Sequence, residues 1–294
     1  MNKLKEYPKE IPCIIVAIII YCVSVYIVGL GSATLLILTV PISAFAVFAF
    51  KYGKPRTYNP VENRMIWVWL VAYMLLVTLT AAGVVPLVNE LSNWLWLVII
   101  PLVIVKFSNK ATIKETLTMI GLRGSETKKP WKKKTLSMCF VIFPFLILFA
   151  YARFGITFEN IMESPATLLF FPFMFVLMML MAGTTEEIFF RGIVQRNIYN
   201  ATRSQAIAVI ISALIFALFH LPFAYFFWDH TQGNLLLSLA GVMTEQFTTG
   251  LFLGIVFIRS SNLWTAIILH SLINSVWATA TFFTDTPILN ISFG

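Results

Sequence analysis

Charge is what this chain has least of. Only 12% of its 294 residues are Asp, Glu, Lys or Arg, against 59% hydrophobic. A soluble domain needs roughly a quarter of its surface charged, so this composition excludes a water-soluble fold. Alternation is also missing. The apolar residues come in continuous runs, not at every second position, which excludes a transmembrane β-barrel. Cysteine is scarce as well. Cys13, Cys22 and Cys139 form no CxxC and no ligand-like spacing, and each sits in an apolar run, as a small buried hydrophobe would. There is no internal repeat and no low-complexity tract. The first apolar run, Ile11–Gly29, is too long for a signal-peptide core and lacks a small-residue cleavage site, so it reads as the first membrane helix.

What is present is a series of apolar segments of bilayer-spanning length, which is about 20 residues. Nine candidates fall near 11–29, 31–50, 65–87, 92–106, 135–152, 166–190, 204–228, 235–258 and 263–283. The fourth is short, so the expected fold is an all-α, polytopic transmembrane bundle of eight or nine helices enclosing a polar cavity. The first four segments carry almost no charge, and residues 1–135 read as variable N-terminal anchor helices with a basic loop. Residues 136–294 read as the functional membrane domain, because polar residues at membrane depth begin there.

The net charge is +8, but its distribution points to topology and not to nucleic acid. With the N-terminus in the cytoplasm, 20 of the 21 Lys and Arg residues fall in inside segments, and only Arg153 falls outside. The opposite loops carry Glu90, Glu159, Glu163 and Asp229. This is the positive-inside pattern. It predicts a multi-pass cell-membrane protein with a cytoplasmic N-terminus. The basic stretch Ser108–Lys134, with "TKKPWKKK", then lies against the cytoplasmic leaflet and its anionic lipids.

Three clusters interrupt the later helices: Glu186, Glu187 and Arg191; "FALFH", ending at His220; and "HSLIN", from His270 to Asn274. Ionisable groups at membrane depth cost several kcal/mol, so they are functional candidates. Glu187 and Arg191 stand at i and i+4, the favourable order for an intrahelical ion pair. Glu186 points about 100° away and has no such local partner. His270 and Asn274 share a face, again at i and i+4. Counted along their helices at 1.5 Å per residue, Glu186 lies about 18 Å from the lower end of its helix, His220 about 25 Å above its start and His270 about 10 Å into its span. The groups then meet in the cytoplasmic half of the membrane, and Pro222 is expected to end the helix just after His220. In the eighth segment, Gly250 and Gly254 are expected to permit close helix contact, and Glu245 to make a hydrogen-bonded helix contact or touch substrate.

A buried carboxylate beside an imidazole can take a proton from water and later deliver it to a leaving group. A second imidazole with an amide can donate to a developing oxyanion. Glu186 with His220, and His270 with Asn274, supply these two pairs and fit peptide-bond hydrolysis without a covalent intermediate. No serine or cysteine is placed as a nucleophile, since Ser271 faces about 100° away from His270. Zinc held by Glu186, His220 and His270 with an open water position is an alternative, although there is no HExxH. Helix-bridging polar groups in a non-catalytic scaffold, or the proton relay of a transporter, are further readings. A transporter would be expected to show inverted repeats and glycine-broken helices, which the sequence lacks.

"EEIFFR", "FALFH" and "HSLIN" resemble the three ordered motifs E-E-x-x-x-R, F-x-x-x-H and H-x-x-x-N of the CAAX protease and bacteriocin-processing family (CPBP, also called Abi), over roughly 165–283. The resemblance implies a membrane-embedded glutamic endopeptidase. Glu186 and His220 would activate water, His270 and Asn274 would stabilise the oxyanion, and Glu187 and Arg191 would support the site. It implies no metal or other cofactor and a membrane-bound or lipidated peptide as substrate, either prenylated CAAX-type or a leader peptide. Bacteriocin immunity is a further role linked to the family.

Overall fold

A computed structural model describes residues 10–49, 58–89, 91–123, 130–156 and 166–283. The N-terminal basic residues, Thr127, Lys128 and Lys129 of "TKKPWKKK", and Glu90, Glu159 and Glu163 lie outside the described residues. The rest is helical, with no strand among the described residues. The helices are α1 (Glu10–Val28), α2 (Leu35–Ala49), α3 (Pro60–Ala81), α4 (Trp94–Ser108), α5 (Ile113–Met119), α6 (Pro130–Phe154), α7 (Leu169–Thr202), α8 (Gln205–Phe226), α9 (Leu235–Ser260) and α10 (Leu263–Phe283).

Six of these, α3 and α6 to α10, have the length and hydropathy to cross a membrane; α4 and α5, bent by 106° at their junction, make a seventh if taken as one span. Among the described residues six or seven helices thus qualify as spans, beside the expected eight or nine. The apolar stretches Pro12–Val28 and Leu35–Phe48 contain at most 17 residues. The protein is a multi-pass membrane protein, and its outer faces carry exposed Leu75, Phe140, Phe143 and Leu169.

Local chemistry sets the helix starts. Asn59 accepts from the amides of Val61 and Glu62, and Pro60 follows at the first helical position, where its missing N–H costs nothing. This moves the start of α3 five residues ahead of the expected 65 and brings Glu62 into the helix. A capping box of Thr112 and Glu115 opens α5, and Ser204 caps α8 by accepting from Ile207. Pro222 does not end α8, which continues to Phe226. A proline removes one intrahelical bond, but packing against neighbouring helices holds the remainder in register.

Packing is continuous across residue 135. One core cluster joins Ile66, Leu70, Tyr73 and Val77 of α3 to Phe189, Phe190 and Ile193 of α7 and Phe216 of α8. Another joins Leu38 and Ile42 of α2 to Met138 and Ile142 of α6, Phe252 of α9 and Leu269 of α10. The two glycines of α9 allow the close approach expected of them. A Cβ on Gly250 would stand 2.9 Å from Ala213 Cα, and one on Gly254 would stand 2.8 Å from Gln195 Oε1.

Candidate active site

The helix carrying the two glutamates is not a uniform α-helix. In α7 the turn Thr184–Glu187 is bracketed by π-helical stretches at Met179–Gly183 and Ile188–Gln195. A π turn adds a residue, re-aims the side chains beyond it and disturbs the carbonyl ladder. Here side chains meet the carbonyls: Thr184 Oγ1 donates to Met179 O at 2.6 Å, and Thr185 Oγ1 to Met181 O at 2.7 Å. Trp94 Nε1 of α4 donates to Leu180 O at 3.1 Å, and Ser212 Oγ of α8 to Phe190 O at 3.1 Å. Close contact with α10 requires Gly183, because a Cβ there would run into the Ser271 hydroxyl.

Glu186, Glu187, Arg191, His220 and His270 are all buried. Glu187 Oε1 lies 2.8 Å from Arg191 Nη1 and 2.8 Å from His270 Nδ1. The Arg191 guanidinium also lies over the Phe216 ring, 4.4 Å from its centroid, and donates from Nη2 to Gly250 O at 3.5 Å. Arg191 thus stands on the contact between α7, α8 and α9. His270 presents its other nitrogen, Nε2, 3.9 Å from Glu186 Oε2. One imidazole is therefore flanked by both carboxylates. Glu186 Oε2 is buried and has no hydrogen-bond partner among the described residues.

His220 and His270 both pack edge-on against the Phe216 ring, with centroid separations of 4.7 Å and 6.0 Å. His220 Nδ1 is 2.8 Å from Phe216 O. A carbonyl can only accept, so Nδ1 carries a proton, and in the neutral ring the lone pair sits on Nε2. Phe219 packs edge-on against the same imidazole at 5.0 Å. Asn274 stands one turn beyond His270, half-buried, with no side-chain hydrogen bond among the described residues. The zinc alternative needs three converging ligands, and no group of three or more His, Cys, Asp or Glu among the described residues is arranged to hold a metal ion.

Glu245 and Arg153 are paired at 3.1 Å. Glu245 lies at the break in α9, between Thr244 and Gln246, and Arg153 also sits 5.0 Å over Trp277.

Sequence spacing did not reveal two features. One is the Glu187–His270 bond, whose partners are 83 positions apart. The other is a second polar cluster around Glu62. Glu62 is 4% exposed. It is paired with Arg196, accepts from Asn197 Nδ2 at 3.0 Å, and accepts from Asn109 Nδ2 at 2.6 Å. The signal available was a carboxylate only two residues into an apolar helix.

Residues 168–276 match the family model described as type II CAAX prenyl endopeptidase Rce1-like. No curated protein and no solved structure matches the chain. The matched segment contains the two glutamates, Arg191, both buried histidines and Asn274, and through it this multi-pass membrane protein is similar to the Rce1-like, type II CAAX prenyl endopeptidases, a family of peptidases.

Proposed function

We propose that the protein is an intramembrane endopeptidase that hydrolyses its substrate with a water molecule activated by Glu186 and His220. The observation that carries this reading is the flanking of His270 by two carboxylates, Glu187 at 2.8 Å and Glu186 at 3.9 Å. One acid is committed to an ion pair and the other is without a hydrogen bond.

In this reading Glu186, as carboxylate, takes a proton from water, assisted by the Nε2 lone pair of His220. The water oxygen bonds to the scissile carbonyl carbon, and the carbonyl oxygen becomes an oxyanion. His270 and Asn274 donate to that oxyanion. Because Nδ1 of His270 already donates to Glu187, donation from Nε2 requires the imidazolium form. A cation between two carboxylates is electrostatically suited to that role. Glu186 then passes its proton to the amide nitrogen. The C–N bond breaks, giving a new carboxyl terminus and a new amine. Arg191 holds Glu187, and Glu187 holds the His270 ring.

The proposed substrate is a membrane-associated peptide, prenylated at a CAAX-type C-terminus, cleaved in the cytoplasmic half of the bilayer. The positive-inside charge distribution and the family match support this side and this substrate class. The proposed division of the chain keeps catalysis in residues 136–294, with the earlier helices as anchor and support. The experiment is cleavage of prenylated and unprenylated CAAX peptides by the purified protein in liposomes, with products mapped by mass spectrometry. Cleavage at one defined bond of the prenylated peptide is expected. No cleavage of either peptide, or of a wider membrane-peptide library, would contradict the reading.

A further inference from the structure

The helix that carries Glu186 is fixed from both sides. On its N-terminal side, Trp94 Nε1 holds Leu180 O in the first π-helical stretch. On its C-terminal side, immediately after the second π-helical stretch, Arg196 and Asn197 reach Glu62 of α3. Glu62 does not stand alone. Its second oxygen accepts from Asn109 Nδ2 at 2.6 Å, and Asn109 Nδ2 also lies 2.8 Å from Val105 O. Asn59, which caps the helix of Glu62, donates from Nδ2 to Ser108 O at 3.0 Å and to Asn109 Oδ1 at 3.0 Å. One carboxylate therefore ties the start of α3 and the end of α4 to the end of the glutamate-bearing helix. Among the described residues its side-chain donors are Arg196, Asn197 and Asn109.

Such a tie has a particular consequence here. A π-helical stretch differs from an α-helical one by the extra residue it accommodates, so a helix containing two of them has alternative registers. A slip of one residue between Glu186 and Arg196 would rotate Glu186 by about 100° relative to α10, away from His270 Nε2. Fixing Arg196 and Asn197 to a separate helix resists that slip. Removing the Glu62 charge would take the carboxylate away from the Arg196 guanidinium and the Asn197 amide together, and so loosen the hold of α3 on the end of α7.

We propose that Glu62 is a positioning residue for the peptidase reaction, its clamp on Arg196 and Asn197 holding the π-helical register that aims Glu186 at His270. The inference rests on the peptidase reading above. It assigns a role in the reaction to the part of the chain before residue 135, outside the matched family segment.

The test is a kinetic double-mutant cycle in liposomes on the full-length protein, with wild type and Glu186→Gln measured alongside. Glu62→Gln and Arg196→Gln are each expected to lower kcat by about a hundredfold, the scale of a misplacement near 1 Å, with KM within about twofold of wild type. Because both remove one clamp, the double variant should be no worse than either single variant. Arg196→Lys, which keeps the charge but loses the planar fork, should recover part of the loss, and it stands in for any single variant that fails to accumulate. Wild-type kcat in Glu62→Gln, additive losses in the double variant, or a rise in KM with kcat unchanged would overturn the proposal. If wild type and Glu186→Gln are equally inactive, it is the peptidase reading that fails.

Discussion

Glu187 Oε1 sits 2.8 Å from His270 Nδ1 and, at the same distance, from Arg191 Nη1. Glu187 therefore has two cationic or donor partners, whereas its neighbour Glu186 has only an imidazole edge 3.9 Å away. Adjacent, identical side chains are thus in different circumstances. Replacing them should separate stability from activity. Glu187→Ala leaves Arg191 buried and unpaired, and should cost about 3–5 kcal/mol of stability as well as turnover. Glu186→Ala removes only the long 3.9 Å contact with His270, and should abolish turnover with little change in melting temperature. Thermal unfolding in detergent beside peptide cleavage checks both.

Much of this arrangement was legible in the sequence, for a specific reason. Glu187 and Arg191, or His270 and Asn274, lie four apart on one helix, and helical spacing turns sequence distance directly into geometry. The apolar runs likewise gave the helices, because nothing else spans a bilayer without alternation. What was hidden depends on how helices meet. Glu62 and Arg196 are 134 positions apart, and no local periodicity links them. The π-helical stretches were hidden because their carbonyls are met by Trp94 and Ser212 from other helices. Pro222 was misread as a terminator because its local cost is visible in sequence, while the packing that offsets it is not.

The contact between α8 and α9 depends on the absence of a side chain. A Cβ on Gly250 would stand 2.9 Å from both Cα and Cβ of Ala213, and Gly250 O accepts from Arg191. Gly250→Ala should therefore destabilise the fold by about 1–3 kcal/mol through overpacking and lower turnover by displacing Arg191. Thermal unfolding of the variant beside the wild type measures the first effect, and cleavage of the same peptide measures the second.

A glutamate mechanism carries its own expectation about metals. Dialysis against a strong chelator should leave turnover unchanged, and added zinc should not raise it. Loss on chelation with recovery on zinc addition would instead favour coordination by Glu186, His220 and His270. Metal analysis of the active preparation provides the second readout.

Topology can be tested independently of activity. Among the described residues three membrane-length helices, α6, α7 and α8, separate Lys114 from Asp229, and an odd number of crossings puts the two on opposite sides. In a background without the three native cysteines, Lys114→Cys should react with an impermeant thiol reagent only from the cytoplasmic side. Asp229→Cys should react only from the other side. Reaction of both from one side would contradict the proposed arrangement.

The most direct measurement is the turnover of one defined peptide in liposomes by wild-type protein and by Glu186→Gln, which keeps the size of the side chain and removes its basicity. A positioned general base contributes about 10²–10⁴-fold, so the variant should fall by at least the lower end of that range with its melting temperature preserved. A Glu186→Gln protein that cleaves the peptide at the wild-type rate would contradict the account.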